Sequence, residues 1–245
     1  MVSVCMATYN GEKYIKEQVD SILAQLGPDD EIIVSDDGSK DKTIDILLSY
    51  NDDRIKIYKH TPVKKANRVG DIVSLNFENA LSHAKGDYIF LSDQDDVWID
   101  GKVSKMVELL EGYAVVCSNA WIWDCDSKDD CQKMLYDGRN PLRNYLLKGG
   151  KYYGCCMAIR KECLKFLLPF PNPMPLHDTW VGLLPEIMGG AYFLNEPLIY
   201  YRRHGSNLSG GKSRNSLFYK IWHRVKLLYQ VICRVVRFKL LKNEE

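Results

Sequence analysis

Short apolar runs alternate with segments of helical periodicity through residues 1–92. Continuous runs rich in Val and Ile predict strands at 2–7, 31–35, 55–59 and 87–92. Between them, apolar positions three and four residues apart predict helices at 12–25, 41–50 and 72–84. This alternation is typical of βαβ units, in which parallel strands buried on both faces read as uninterrupted apolar runs. The pattern therefore predicts an α/β fold with a doubly wound sheet.

The end of the chain has a different pattern. From Ser216 onward, apolar residues recur at three- and four-residue steps, while Lys and Arg occupy other faces and aromatic residues are interspersed. This predicts a basic amphipathic helix within 212–245, preceded by a Gly- and Ser-rich joint at 206–213. Such a helix suits an anionic membrane surface, but a helix that packs on the domain or on another subunit of an oligomer has the same period.

The charge is distributed unevenly. The net charge is +1, but residues 212–245 contain nine basic and two acidic residues, so this segment carries +7 and the rest of the chain carries −6. The negative charge of residues 1–211 would repel nucleic acid, so we do not expect nucleic acid as a partner.

With 245 residues and 46% hydrophobic content, the chain can bury the core of one large domain without disulfides.

The cysteines and the N-terminal segment predict a compartment. The eight cysteines show no Cys-x-x-Cys spacing, which favours reduced thiols. The chain begins with strand-like residues and shows no basic and apolar leader of the secretory type. No apolar stretch reaches the roughly 20 residues that a membrane span needs. We therefore expect a cytoplasmic protein whose membrane contact, if any, is peripheral.

Polar clusters follow three of the predicted strands, at 8–11, 36–39 and 93–96. In doubly wound sheets, ligands bind outside the carboxyl ends of the strands, so these clusters should converge on one site. Asp36 or Asp37 can accept hydrogen bonds from a base or a ribose, and Gly38 permits close backbone approach, although the same residues also suit a turn. Tyr9 could stack on a nucleobase or simply pack.

The third cluster concentrates charge. Asp93, Asp95 and Asp96 place three carboxylates within four positions directly after an apolar run. Like charges this close repel unless a cation or hydrogen-bond donors offset them, which predicts a divalent metal shared with waters and phosphate oxygens. The alternative is an acidic loop in which Asp95 or Asp96 caps a helix that starts near Asp100.

Four segments together resemble a known family. They are Ala-Thr-Tyr-Asn-Gly at 7–11, Ser-Asp-Asp-Gly-Ser at 35–39, the stretch 76–89 that starts with Asn-Phe, and Ser-Asp-Gln-Asp-Asp-Val-Trp at 92–98 followed by Lys102. They resemble the inverting family 2 glycosyltransferases with the GT-A fold, over most of 1–211. The last segment is similar to the bacterial rhamnosyltransferase-like branch that builds O-antigen and capsule.

The resemblance implies a fold and an activity. It implies the GT-A nucleotide-diphospho-sugar transferase fold, a Rossmann-like mixed sheet flanked by helices. This domain would cover 1–211, with a donor half at about 1–119 and an acceptor half at about 120–211, followed by the helix of 212–245. The implied activity is metal-dependent and inverting, and moves a sugar from a nucleotide-diphospho-sugar donor to a glycan or lipid-linked glycan acceptor. The signature of processive synthases is absent, so we expect the transfer of one sugar per binding event. We expect the reaction to take place at the inner face of the cytoplasmic membrane.

The resemblance also assigns residues to roles. Asp95 and His204 would bind Mg²⁺ or Mn²⁺. Asp178 would be the general base, although it could equally cap the helix that follows, with Glu186 as the next candidate; His177 departs from the acidic residue that the family usually carries there. The donor would be bound by Ala7, Thr8, Tyr9, Asp36, Asp37, Asp93, Gln94, Arg202 and Arg203.

Two other functions have to be weighed. A sugar-phosphate nucleotidyltransferase shares the fold type, but residues 7–13 lack the Gly-rich basic loop that a triphosphate requires. A catalytically silent sugar-nucleotide-binding module is the other alternative. The presence of Asp93, Asp95 and Asp178 argues against it, and a turnover assay discriminates the two.

Overall fold

The computed structural model describes residues 1–61, 69–124, 133–136, 152–172, 176–205 and 217–242. The strands are β1 (Val2–Thr8), β2 (Glu31–Asp36), β3 (Ile55–Lys59), β4 (Tyr88–Ser92), β5 (Val97–Trp98), β6 (Val115–Asp124), β7 (Lys133–Met134), β8 (Met157–Arg160) and β9 (Ala191–Arg203). The helices are α1 (Ile15–Leu23), α2 (Thr43–Ser49), α3 (Val69–His83), α4 (Lys102–Leu110), α5 (Leu164–Leu167), α6 (His177–Gly189) and α7 (Leu217–Lys242).

All the strands of the described residues belong to one mixed sheet. Its order is β3-β2-β1-β4-β8-β6-β9-β5, and β7 pairs with β6. The first four strands are mutually parallel, whereas β8 runs antiparallel to β4 and to β6. The predicted mixed sheet flanked by helices is confirmed.

The strand register brings the polar clusters together. Thr8 at the end of β1 pairs with Asp36 at the end of β2, and Met6 pairs with Ser92 at the end of β4. Because these parallel strands end at one edge of the sheet, residues 8–11, 36–39 and 93–96 emerge side by side.

The predicted strands and helices of the first half are present, with bounds shifted by up to three residues. Shifts of three residues occur at the start of α3, which was predicted from residue 72 and begins at Val69, and at the start of α1, which was predicted from residue 12 and begins at Ile15. Residues 12–14 form a turn instead, in which the N–H groups of Tyr14 and Ile15 donate to the carbonyl of Gly11 at 3.0 Å. This turn leaves residues 12–14 beside the ligand-binding edge.

The core consists of two apolar layers on opposite faces of the sheet. Alternation along β1 separates them, because Val4 and Met6 face one layer and Cys5 faces the other. The first layer contains Val19 of α1 and Met106 of α4, among others. The second layer is built by α3 and α6, with Phe77, Leu81, Trp180 and Leu184. The cysteines that the structure describes are free thiols.

The C-terminal helix α7 packs on the second layer. Leu227 and Val231 are buried there. The Arg234 guanidinium donates to the carbonyls of Phe166 at 2.9 Å and Pro169 at 2.6 Å, which closes the end of α5. Among the described residues, no helix has the length and apolarity that a membrane crossing requires.

Candidate functional site

A cavity of about 960 Å³ opens at the carboxyl ends of β1, β2 and β4. Its lining contains nine of the twelve predicted site residues: Ala7, Thr8, Tyr9, Asp37, Asp93, Gln94, Asp95, Asp178 and His204. Asp36, Arg202 and Arg203 are not among the lining residues. The sheet edge therefore collects residues that are up to 197 positions apart in the chain into one pocket.

The β1 and β4 loops are held together by Gln94. Its side-chain amide accepts a hydrogen bond from the Tyr9 N–H at 2.9 Å and donates one to the Tyr9 carbonyl at 3.0 Å. A Cβ at Gly11 would overlap this amide, so glycine is needed for the close approach. The Tyr9 ring itself remains 52% exposed at the cavity, which leaves its face accessible to a ligand.

The two adjacent aspartates of the second cluster have different roles. Asp36 is buried and accepts hydrogen bonds from the Thr8 hydroxyl at 2.9 Å and from two backbone N–H groups, those of Gly38 and Ser39. Gly38 has a φ of +82°, a conformation that favours glycine. Asp36 thus builds the turn. Asp37 faces the cavity, and its carboxylate lies 2.9 Å from Nδ1 of the buried His60.

The acidic run does not cap a helix. The α4 helix starts after Gly101, with no side-chain cap, and β5 intervenes between the run and the helix. Asp96 is fully buried and accepts a hydrogen bond from the Arg202 backbone N–H at 3.0 Å. The pKa of Asp93 is raised to about 7, chiefly by burial and to a smaller extent by the nearby charges of Asp95 and Asp178. Carboxylates from β4 and α6 therefore face one another across the cavity.

Two sets of side chains in this region offer metal ligands. Asp95 Oδ2 lies 2.7 Å from His204 Nε2, and the His204 ring stacks on Tyr14 with the ring centroids 4.6 Å apart. Two ligands on one Mg²⁺ or Mn²⁺ ion lie about 3 Å apart, so this pair fits a shared ion. Ligand atoms of Asp93, Asp96 and Cys155 also lie within 4.8 Å of one another. That second set is less suitable for these ions, since it includes a thiol and the fully buried Asp96.

Arg202 and Arg203 are the last two residues of β9. Arg202 is buried, and its side chain donates to the Asp95 carbonyl at 2.8 Å and to Glu17 at 2.5 Å. Its guanidinium also stacks on the Trp123 ring at 3.9 Å. Arg202 therefore holds the main chain of the loop that contains Asp95 in place. Arg203, in contrast, is exposed.

Asp178 lies in the first turn of α6, and its carboxylate accepts a hydrogen bond from the Thr179 N–H at 2.6 Å. Asp178 does not cap this helix, because the N-cap residue is Leu176 and no side-chain cap hydrogen bond is present. Its carboxylate still lies near the positive end of the helix, and it lines the cavity. The preceding His177 stacks on Phe77 at 4.1 Å. Burial lowers the pKa of His177 to about 3, so its imidazole is neutral at physiological pH.

The neutral His177 predicts an acid-sensitive stability. Between the ordinary pKa of 6.5 and about 3, the unfolded chain binds a proton at His177 that the folded protein does not bind. Lowering the pH through this window should therefore cost the wild type on the order of 1 kcal/mol per pH unit from this residue. We expect the stability advantage of wild type over His177→Gln to shrink between about pH 7 and about pH 5 in urea denaturation. An advantage that stays constant across this range would show that the pKa of His177 is the same in the folded and unfolded protein.

Several lining residues were not predicted. Tyr14 was assigned to the helix but lines the cavity. His60, which is not a lining residue, contacts Asp37 behind it. Asn76 lies in one of the resembling segments and donates to the Thr8 carbonyl at 3.2 Å, but no role was assigned to it. Gly154 and Cys155 line the cavity from a 3₁₀ turn before β8. No local pattern marks this turn, because the pairing of β8 with β4 is what brings it to the site.

Comparison with known proteins identifies the family. The model of Glycosyl transferase family 2 matches residues 3–168. A Bacillus subtilis glycosyltransferase assigned provisionally to teichuronic acid biosynthesis, TuaG, is 28% identical over 99% of this chain and 91% of its own length. The dTDP-rhamnosyl transferase RfbG of Shigella flexneri is 29% identical over 88% of this chain and 77% of its own length.

A solved structure shows the same fold. The mannosyltransferase PcManGT of Pyrobaculum calidifontis, in complex with GDP-Man and Mn²⁺, superimposes with a TM-score of 0.57 at 20% identity. The match covers 96% of this chain and 64% of that one. The fold is thus that of the GT-A glycosyltransferases, and the chain is an enzyme of this class. On the family match and the two relatives, the chain belongs to glycosyl transferase family 2.

Proposed function

We propose that this chain is a metal-dependent, inverting glycosyltransferase that moves one sugar from a nucleotide-diphospho-sugar to a glycan or lipid-linked glycan. One observation carries the proposal. A single cavity is lined by Asp93 and Asp95 from the end of β4 and by Asp178 from the start of α6. Asp178 is close enough to raise the pKa of Asp93. The proposed donor side and the proposed base therefore face one reaction centre.

On the donor side, the base and ribose would contact Thr8, Tyr9 and Asp37. Gln94 would contribute by holding the Tyr9 backbone, and Ala7 lines the same wall. Asp95 and His204 would hold Mg²⁺ or Mn²⁺, which offsets the charge of the leaving nucleoside diphosphate. The complex of PcManGT with GDP-Man and Mn²⁺ supports this ligand class. Direct phosphate contact by Arg202 is disfavoured, because its guanidinium is occupied by Glu17 and the Asp95 carbonyl.

On the acceptor side, Asp178 would act as the general base. The acceptor hydroxyl oxygen attacks the anomeric carbon, its proton passes to the Asp178 carboxylate, and the bond from that carbon to the diphosphate oxygen breaks. Attack from the face opposite the diphosphate inverts the anomeric configuration. The neutral His177 and the adjacent Gly154 would line the path of the acceptor. We propose a donor half at about 1–119 and an acceptor half at about 120–211, with His204 of the second half contributing to the proposed metal site.

The relatives support a role in cell-surface polysaccharide synthesis. One is provisionally assigned to teichuronic acid biosynthesis, and another is a dTDP-rhamnosyl transferase. We propose a corresponding role for this chain in O-antigen or capsule assembly. A lipid-linked acceptor would place the reaction at the inner face of the cytoplasmic membrane.

A ligand and turnover assay tests the proposal. We expect UDP, dTDP or GDP to bind by calorimetry in the presence of Mn²⁺, and the matching sugar nucleotide to yield an inverted glycoside by NMR with lipid-linked glycan as acceptor. If none of the three nucleotides binds, the proposal is contradicted. Binding without turnover would favour the silent module, and release of pyrophosphate from a nucleoside triphosphate and a sugar phosphate would favour a nucleotidyltransferase.

A further inference from the structure

Helix α7 has a second apolar face that is not covered by the part of the protein that the structure describes. Large apolar side chains on this helix are between 38% and 67% exposed. We call them the α7 stripe: Ile221, Trp222, Val225, Leu228, Tyr229, Ile232, Val236 and Leu240. No other helix of the described residues exposes a comparable series. At about 100° per residue, the members fall within a sector of about 120°, so they form one continuous face.

The α7 stripe is separate from the face that docks on the domain. Leu227 and Val231, which are buried in the core, lie on the opposite side of the helix from Tyr229 and Val236. Phe238 packs on Phe166 with the ring centroids 5.4 Å apart, on the docked side. Since docking already fixes the helix, the stripe is not needed to hold α7 in place. Its exposure implies a partner outside the described fold.

The charges around the stripe favour an anionic partner. At about 100° per residue, Lys239 lies within the sector of the stripe, and Lys226 and Arg237 lie about 40° and about 60° beyond one edge of it. The Lys226 ammonium is 4.5 Å from the centre of the Trp222 ring, which places a cation beside an interfacial aromatic residue. A second copy of the chain would bring together two segments of net charge +7. This repulsion disfavours self-association through α7 and favours a surface of opposite charge.

We propose that the α7 stripe docks on an anionic lipid bilayer, with the helix lying in the plane of the interface. Aliphatic side chains would enter the acyl boundary, Trp222 and Tyr229 would lie at headgroup depth, and the basic residues would contact anionic headgroups. This surface is independent of the proposed function.

Docking through α7 also has a consequence for the site. This consequence, unlike the docking itself, rests on the proposed function. The Arg234 guanidinium lies 5.3 Å from the ring of Trp180, and Trp180 is two residues after Asp178 on α6. The bilayer-bound helix would therefore be coupled directly to the helix that carries the proposed base. A lipid-linked acceptor would meet the site without leaving the membrane.

Vesicle sedimentation of the full chain tests the surface. We expect binding to phosphatidylcholine vesicles that contain phosphatidylglycerol, much weaker binding to pure phosphatidylcholine, and loss of binding in high salt. The double variant Val225→Glu/Ile232→Glu should bind at least about tenfold more weakly, since it places charge in the apolar face. Gln230→Glu adds a negative charge on the same helix outside the stripe and should bind within about fivefold of wild type.

Two further measurements keep the test decisive. If the double Glu variant melts at a lower temperature, Lys226→Gln and Arg237→Gln replace it, and each should weaken binding about fivefold. Wild-type protein that ignores anionic vesicles overturns the proposal. Light scattering that shows a dimer, converted to a monomer by the double Glu variant, would assign the stripe to a subunit interface instead. Vesicle binding and light scattering do not depend on enzymatic activity. A failure of the membrane-docking proposal can therefore be distinguished from a failure of the proposed function.

Discussion

Asp178→Asn is expected to reduce kcat by about 10²- to 10⁴-fold, because the amide cannot accept a proton from the acceptor hydroxyl. The structure indicates that the local fold survives this change. The Asn side-chain oxygen can still accept the Thr179 N–H bond that Asp178 accepts at 2.6 Å. Removing the negative charge also lowers the pKa of Asp93, so the donor-side carboxylate stays ionised more readily. Donor binding should therefore remain near the wild-type level while turnover is lost.

The matched control is Glu186→Gln on the same helix. Glu186 accepts a hydrogen bond from the Tyr152 hydroxyl at 2.9 Å and is not among the cavity-lining residues, and Gln preserves the acceptor. Steady-state rates and calorimetry of nucleoside diphosphate with Mn²⁺ measure the two effects separately. If Glu186→Gln loses turnover and Asp178→Asn retains it, the base is Glu186. Equal donor-binding losses in both variants would indicate a structural effect on α6.

The first half of the site was predictable because it depends on strand ends. Parallel strands that end in register must place their following loops together, so the clusters after β1, β2 and β4 could be assigned to one site from the sequence. The choice between Asp36 and Asp37 could not be made in this way. It depends on which carboxylate the Gly38 and Ser39 N–H groups engage, and this is a property of the turn.

The second half depends on long-range pairing that no local pattern contains. Arg202 was predicted to bind the donor, because two guanidiniums and an imidazole follow one another at 202–204 after a probable strand. In the fold, β9 pairs with β5 and β6, which turns the Arg202 guanidinium toward Glu17 and Trp123 instead. The same limit applies to α7. Its period predicts apolar faces, but only the position of the domain shows that Leu227 is covered and Ile232 is not.

If Asp95 and His204 hold a metal ion as proposed, donor binding should depend on the Asp95 carboxylate. Asp95→Asn should weaken nucleoside diphosphate binding by about 10²-fold or more, because it removes the carboxylate that would share an ion with His204. The loop itself should stay in place, since Arg202 bonds to the main-chain carbonyl of residue 95 and not to its side chain. Asp100→Asn is the control, because Asp100 is exposed in the turn that follows β5.

Chelation separates a metal role for Asp95 from a direct contact with the donor. In wild-type protein, EDTA should reduce nucleoside diphosphate affinity as much as the Asp95→Asn substitution does in the presence of Mn²⁺. In Asp95→Asn, EDTA should have little further effect, because the substitution and the chelator remove the same interaction. Independent, additive losses would mean that Asp95 contacts the donor without an ion. Wild-type affinity that is unchanged by EDTA would contradict metal dependence, and the 2.7 Å contact between Asp95 and His204 would then be an ion pair or hydrogen bond of the folded protein itself.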